Sequence, residues 1–260
     1  DNNDKKGYII YLSDAGGNRL PGSLAGYAAA INRWGAYYVD LERDKDKAYS
    51  LFNEEFNANP DQIKNYYQSY FEVVYAVRLD DREEIINEEL TKLEQSPDKS
   101  EKDYAVLAEW YSKLGNEEKA NEYDKFIKEN FPASDYVQQQ MYKELREIKN
   151  VNEKINYLKN YEEKFPKSEY LVNMYDLVAN AFRDAKEYEK ALTFLRENKN
   201  HVSTFRFYSV VNRMLEENAD MDIALQITNL GEERNRQEVL NPSNKKPEYY
   251  SSNEWQQDRE

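Results

Sequence analysis

Four groups of residues in this chain have types and spacings that suggest chemistry. The first is Gly16-Gly17-Asn18-Arg19-Leu20-Pro21-Gly22, a glycine-rich loop ahead of a helix-like stretch. Such a loop can cradle phosphate on its backbone N–H groups. A nucleotide P-loop must end in Gly-Lys-Ser/Thr, whereas this loop ends Pro-Gly-Ser, so it reads as a turn leading into the first helix. The second group, Asp80-Asp81-Arg82-Glu83-Glu84, lacks the alternating oxygens, central glycine and distal glutamate of a calcium loop. It reads instead as a helix start, with Asp80 or Asp81 as cap and the glutamates favoured by the positive end of the helix dipole. Third comes His201, the single histidine, close to Ser203 and Thr204. A catalytic histidine needs a nucleophile and an orienting carboxylate brought together by the fold, and a short inter-helix loop supplies neither, so His201 reads as an exposed loop residue.

The fourth group is aromatic. Tyr66, Tyr67, Tyr70, Phe71 and Tyr75 crowd one helix-like stretch; Tyr104, Trp110, Tyr111, Tyr136, Tyr142, Tyr170 and Tyr175 recur on later ones. Adjacent pairs such as Tyr66-Tyr67 and Trp110-Tyr111 point about 100° apart on a helix, so both members cannot face one seam equally. Part of each set must pack between helices. The rest are candidates to line a binding groove, and the residues singled out for that role are Tyr67, Tyr70, Tyr104, Trp110, Tyr111, Tyr142 and Tyr175. Tyrosine and tryptophan offer large contact area at low entropy cost to a peptide or a sugar.

Composition narrows the function classes. The 260 residues carry a formal net charge of −14, which argues against nucleic acid as a partner, because phosphate binding needs a basic footprint. Zero cysteines exclude a disulfide framework, a thiol nucleophile, an iron–sulfur cluster and a thiolate zinc site, and one histidine excludes a His-pair metal motif. No apolar run approaches the ~20 residues of a membrane span. With fifty acidic residues, any one carboxylate pair is uninformative as a glycosidase signature. No catalytic, metal or cofactor site is expected.

The elements that must position these residues follow from a repeat. Pro60, Pro97, Pro132 and Pro166 succeed one another at intervals of 37, 35 and 34, each ending a helix-like stretch. Twelve residues before each proline stands Ala48, Ile85, Ala120 or Lys154, the last a polar exception, and the pattern continues at Ala191 and Ala224. Small residues let paired helices approach, and proline stops the second helix of each pair. Ser134 and Ser168 are placed to cap the helices that follow. The spacing predicts first helices over 22–42, 61–78, 101–114, 135–148, 169–185 and 203–217. Second helices are predicted over 45–57, 81–95, 117–130, 152–163, 187–198 and 220–236.

In LAEWYSKLGNEEKANEYDKF and AFRDAKEYEKALTFL the chain resembles the tetratricopeptide repeat, over about residues 45–240. Asp124 and Leu158 depart from its usual aromatic and Lys149 from its turn glycine. The resemblance implies an all-α, right-handed superhelix of about six helix pairs over 22–240, whose first helices line a concave face that binds a peptide or a neighbouring domain. Residues 1–21 are expected to hold a β remnant, the strand-like run 7–12 and its turn. Residues 241–260 read as a linker followed by the start of a further helix at Ser251-Ser252-Asn253-Glu254-Trp255. Residues 7–60 also resemble the central part of large envelope proteins of Bacteroidetes-like bacteria, in which a thioredoxin-like disulfide reductase domain follows a helical-repeat region. This implies a periplasmic or cell-envelope location. The expected function is a non-catalytic protein-interaction or scaffold module. Two alternatives stand beside it: the scaffold segment of a thiol–disulfide oxidoreductase whose active cysteines lie in another domain, and a glycan-binding helical-repeat protein.

Overall fold

The computed structural model describes residues 11–33 and 41–240. They form α1 (Ser23–Asn32), α2 (Lys45–Ala58), a 3₁₀ helix (Pro60–Asn65), α3 (Tyr67–Val77), α4 (Arg82–Gln95), α5 (Glu101–Lys113) and α6 (Glu117–Asn130). Then follow α7 (Asp135–Glu147), α8 (Val151–Lys164), α9 (Leu171–Asp184), α10 (Tyr188–Glu197), α11 (Thr204–Glu216) and α12 (Met221–Leu240). No described residue belongs to a β-strand, and the chain is all-α. It divides into two compact units, 1–132 and 133–260, whose boundary falls at Pro132.

The prolines act as their chemistry requires. Helices α2, α4, α6 and α8 each stop two residues before one of them. The residue between, Asn59, Ser96, Phe131 or Phe165, leaves the helical region because the proline ring excludes it. The small slots are buried: Ala48, Ala120, Ala191 and Ala224 are all interior. Lys154 also fills its slot almost completely buried. Its ammonium donates to the carbonyls of Leu145 and, at 3.4 Å, Arg146, taking up acceptors that the end of α7 leaves free. Burial holds the Lys154 ammonium below its ordinary pKa.

In the first unit α1 packs on α2 and α3, and contacts continue from α2 to α3, α3 to α4, α4 to α5 and α5 to α6. In the second, α7 meets α8 and α9, α9 meets α8, α10 and α11, and α12 packs on both α10 and α11. Each unit has its own apolar cluster, around Phe52, Phe71, Leu90 and Trp110 in the first and around Tyr161, Met174, Phe207 and Ile227 in the second.

Several expectations are corrected. The helix expected over 61–78 is two pieces, because Tyr66 leaves helical geometry at φ −132°, ψ 8°. Its hydroxyl donates across 3.2 Å to the Gly22 carbonyl, so a tertiary contact breaks the helix. The helix expected over 22–42 ends at Asn32, with Arg33 extended; residues 34–40 lie outside the described residues. Asp81 does not cap α4: its carboxylate turns back to the Arg78 guanidinium, a charge-assisted pair that outcompetes a backbone N–H. Ser168 accepts instead from Tyr170 N and bonds the Tyr161 hydroxyl, so α9 starts only at Leu171. Ser134 does cap α7, as expected, and Asp44 caps α2.

The strand-like run 7–12 lies mostly outside the described residues. Near its described end, Ser13 makes a single antiparallel bridge to Arg19. The glycine-rich loop is a turn organised by Asp14, whose carboxylate accepts from the N–H groups of Gly16 (2.8 Å) and Asn18 (2.9 Å). Backbone donors that an anion would need are thereby occupied. Gly22 sits at φ +86°, where a Cβ would also fall 2.9 Å from the Gln62 side chain. With no side-chain cap of its own, α1 receives one from α2: the buried Glu55 carboxylate accepts from Gly22 N and Leu24 N at 2.9 Å each. The expected linker and further helix at 241–260 lie outside the described residues.

Candidate functional site

Helix α11 carries two apolar stripes. Phe207, Val210 and Met214, spaced i, i+3, i+7, are buried in the second unit's cluster. On the far face Phe205, Tyr208 and Leu215 stand 62%, 64% and 51% exposed. The period of 3.6 residues puts these three, with Asn212, on one side of the helix. The rings of Phe205 and Tyr208 lie 6.0 Å apart and form a ridge between two grooves.

One groove, 440 Å³, runs toward the end of α9 and is edged by Arg183, Ser209, Asn212 and Arg213. Its cations are held in place: Arg183 donates to Ser209 Oγ at 2.5 Å and to Asp184 Oδ1 at 2.9 Å, and Arg213 Nε reaches Glu217 at 2.7 Å. The hydrogen bond from Tyr188 to Glu217, with help from Lys186 and Arg213, keeps that carboxyl below the ordinary value despite some desolvation. The second groove, 590 Å³, lies against α12 and is floored by Phe207, Val211 and Gly231.

A buried carboxylate sets the stripe's position. Asp176 on α9 accepts from Ser203 N (3.0 Å), Ser203 Oγ (2.6 Å) and Arg206 Nη2 (3.2 Å), while Arg206 Nη1 reaches Asn180 at 2.7 Å. The start of α11 is thus pinned to the middle of α9.

The tyrosines singled out in the sequence lie elsewhere. Tyr67, Tyr70, Trp110 and Tyr111 come together in the first unit's apolar cluster, and Tyr175 lies in the second unit's. Trp110 is fully buried, its indole N–H donating to Gln68 Oε1 at 2.8 Å and its ring edge-on to Phe71. Tyr70 packs against Phe52 and Phe56. Burial, reinforced by the charges of Glu89 and Asp103, pushes the Tyr67 phenol up to about 12. Tyr111 stacks on Tyr123 and accepts from Lys119 Nζ at 3.1 Å. Tyr104 and Tyr142 are half-buried, Tyr104 against Phe126 and Tyr142 stacked on Tyr170. Five of the seven are thus buried and two half-buried. Tyr175 lines a groove of 630 Å³ between α8 and α10, with its hydroxyl bonded to Glu162 and its ring stacked 5.0 Å from the exposed His201.

The signal for the α11 stripe is present in Thr204-Phe205-Arg206-Phe207-Tyr208, where aromatics fall on both faces of one helix. Residue type does not tell which of the two faces stays in solvent; that depends on the neighbours that cover Phe207 and leave Phe205 and Tyr208 exposed. Among the described residues no helix is long and apolar enough to cross a membrane. A scan against protein-family models finds no match, and searches of curated proteins and of solved structures find none either. What characterises the described residues is their own architecture: paired helices, with a solvent-facing aromatic stripe on α11.

Proposed function

We propose that this chain is a protein-interaction module that takes a protein or peptide on the exposed stripe of α11. The observation that carries the reading is the exposure of Phe205 and Tyr208 on a helix whose opposite face already completes the core. Aromatic and arginine side chains dominate the energetics of interfaces, and here two rings stand beside Arg183 and Arg213. Each unit is read as a stretch of tetratricopeptide-like right-handed solenoid. Proline phasing, buried small slots and the contacts of α9 with α7 and α11 support that reading. The resemblance of residues 7–60 supports a place in a bacterial cell envelope.

Selecting peptides from a display library on the full chain tests the proposal. Selected peptides are expected to lose roughly tenfold in affinity, about 1.4 kcal/mol, with Phe205→Ala or Tyr208→Ala. Leu79→Ala, at another exposed apolar residue, leaves them unchanged. Peptides indifferent to both aromatic substitutions would overturn it.

A further inference from the structure

Three times in this molecule a helix lies across both members of the pair before it. Helix α3 packs on α1 and α2, and α9 packs on α7 and α8. Helix α5 packs on α4 and, through Trp110, reaches Phe71 and Gln68 of α3. The equivalent face of α11 and α12 is open: no described helix packs across the two, and the space there is the 590 Å³ groove. At its floor the helices approach closely, since a Cβ on Gly231 would fall 2.8 Å from that of Phe207. One wall is Phe205, Tyr208 and Val211, with both rings more than half exposed; the other is Thr228 and Glu232, one turn apart on α12. Glu232, the one charged residue of the lining, is paired with Arg236 at 2.8 Å.

Taking the Phe205–Tyr208 ridge as the recognition surface proposed above, we infer that the groove beside it seats an amphipathic α-helix of a partner protein. That helix lies across α11 and α12 as α3 and α9 lie across their own preceding pairs. A helix fits where an extended segment does not. Both walls are helices whose backbone groups are already paired, so an extended peptide would bury its amides without partners. A helix satisfies those groups internally and docks through apolar side chains at i, i+4 and i+7. With the lining's single charge already paired, recognition is apolar, through the exposed rings and Val211. Residues 241–260 of the chain itself lack such a stripe. They contain no Ala, Val, Leu, Ile, Met or Phe, and their aromatics are Tyr249, Tyr250 and Trp255. The occupant is therefore assigned to another protein.

The probe is a fluorescein-labelled model helix of about 18 residues, with leucines at i, i+4 and i+7 along one face of an alanine and glutamine background. Its control carries proline at two central alanines, which breaks the helix. Anisotropy titrations would compare the parent chain with three variants. Thr228→Arg projects a long charged side chain into the groove, Gln237→Arg places the same side chain at an exposed position on the opposite side of α12, and Trp255→Ala alters the chain beyond Leu240. Circular dichroism confirms that each variant is folded. The helix is expected to bind the parent chain, with Thr228→Arg and the proline control each weakening binding roughly tenfold or more. Gln237→Arg and Trp255→Ala are expected to change it by less than about twofold. Absence of binding to the parent chain, equal affinity of the proline control, or unchanged binding to Thr228→Arg would overturn the proposal. Binding that appears only with Trp255→Ala would overturn it as well, by giving the groove to residues 241–260. Display-selected peptides that depend on Phe205 and Tyr208 yet ignore Thr228→Arg would sink the helix and leave the ridge standing.

Discussion

Lys186 and Asn218 hold left-handed backbone, at φ 59° and 51°, where Gly115 does the same work at φ 79°. The three turns share one hydrogen-bond pattern. The left-handed residue donates three residues back, to Ser112, Arg183 or Leu215, and its successor donates five residues back, to Tyr111, Phe182 or Met214. Glycine takes this conformation freely, whereas a side chain costs about 1 kcal/mol or more. Lys186→Gly is therefore expected to stabilise the second unit by about 1 kcal/mol in denaturant unfolding, since the ion pair it forfeits with Glu217 is 62% exposed on the lysine side and holds little. Glu94 ties the stability of the first unit to pH. Burial alone would raise its pKa, but the hydrogen bonds it accepts from Lys119, Tyr123 and Tyr111 outweigh burial and hold the carboxyl below 4.5. A carboxyl depressed in the folded state contributes stability that is complete above its unfolded pKa and disappears as pH falls through the folded one. Unfolding of the parent chain should thus lose stability on acidification below about pH 4.5, with Glu94→Gln showing a shallower loss across that window. Identical pH profiles would remove Glu94 from the account.

At the scale of elements, local rules were legible in the sequence and tertiary ones were not. Pro60, Pro97, Pro132 and Pro166 marked four helix ends because a missing donor and a pre-proline clash act on the chain itself. The break at Tyr66 and the turning-back of Asp81 were illegible, since each depends on a partner, Gly22 or Arg78, whose position only the fold decides. The buried tyrosines belong to the same class of difficulty. A phenol has an apolar ring and a polar tip, so its type alone does not tell seam from surface. Tyr175 and Tyr111 resolve it by burying the ring, the Tyr175 hydroxyl donating to Glu162 and the Tyr111 hydroxyl accepting from Lys119. Helix α11 owes its position to Asp176, a mid-helix carboxylate that is 7% exposed. Asp176→Ala leaves Arg206 without its buried counter-ion and Ser203 N without its acceptor, and is expected to destabilise the second unit by about 3 kcal/mol. Hydrogen exchange should show the loss concentrated in α11 and α12, with α3 to α6 unchanged.

Across the whole molecule, two units each close an apolar cluster of their own, so each is expected to answer core substitutions within itself. In a chain with fifty acidic residues, the Phe205–Tyr208 ridge is a pair of adjoining exposed rings, and that contrast is what the proposed interaction rests on. The net charge of −14 would favour basic partners by long-range attraction that salt screens. The most direct measurement of the central claim is photo-crosslinking from a benzophenone side chain placed at Phe205, Tyr208, Asn212 or Leu215 in turn, with Leu79 and Leu225 as exposed positions off the stripe. One and the same protein species captured from the four stripe positions, and not from Leu79 or Leu225, is the predicted result. Equal capture at all six positions, or none from the stripe, would contradict it.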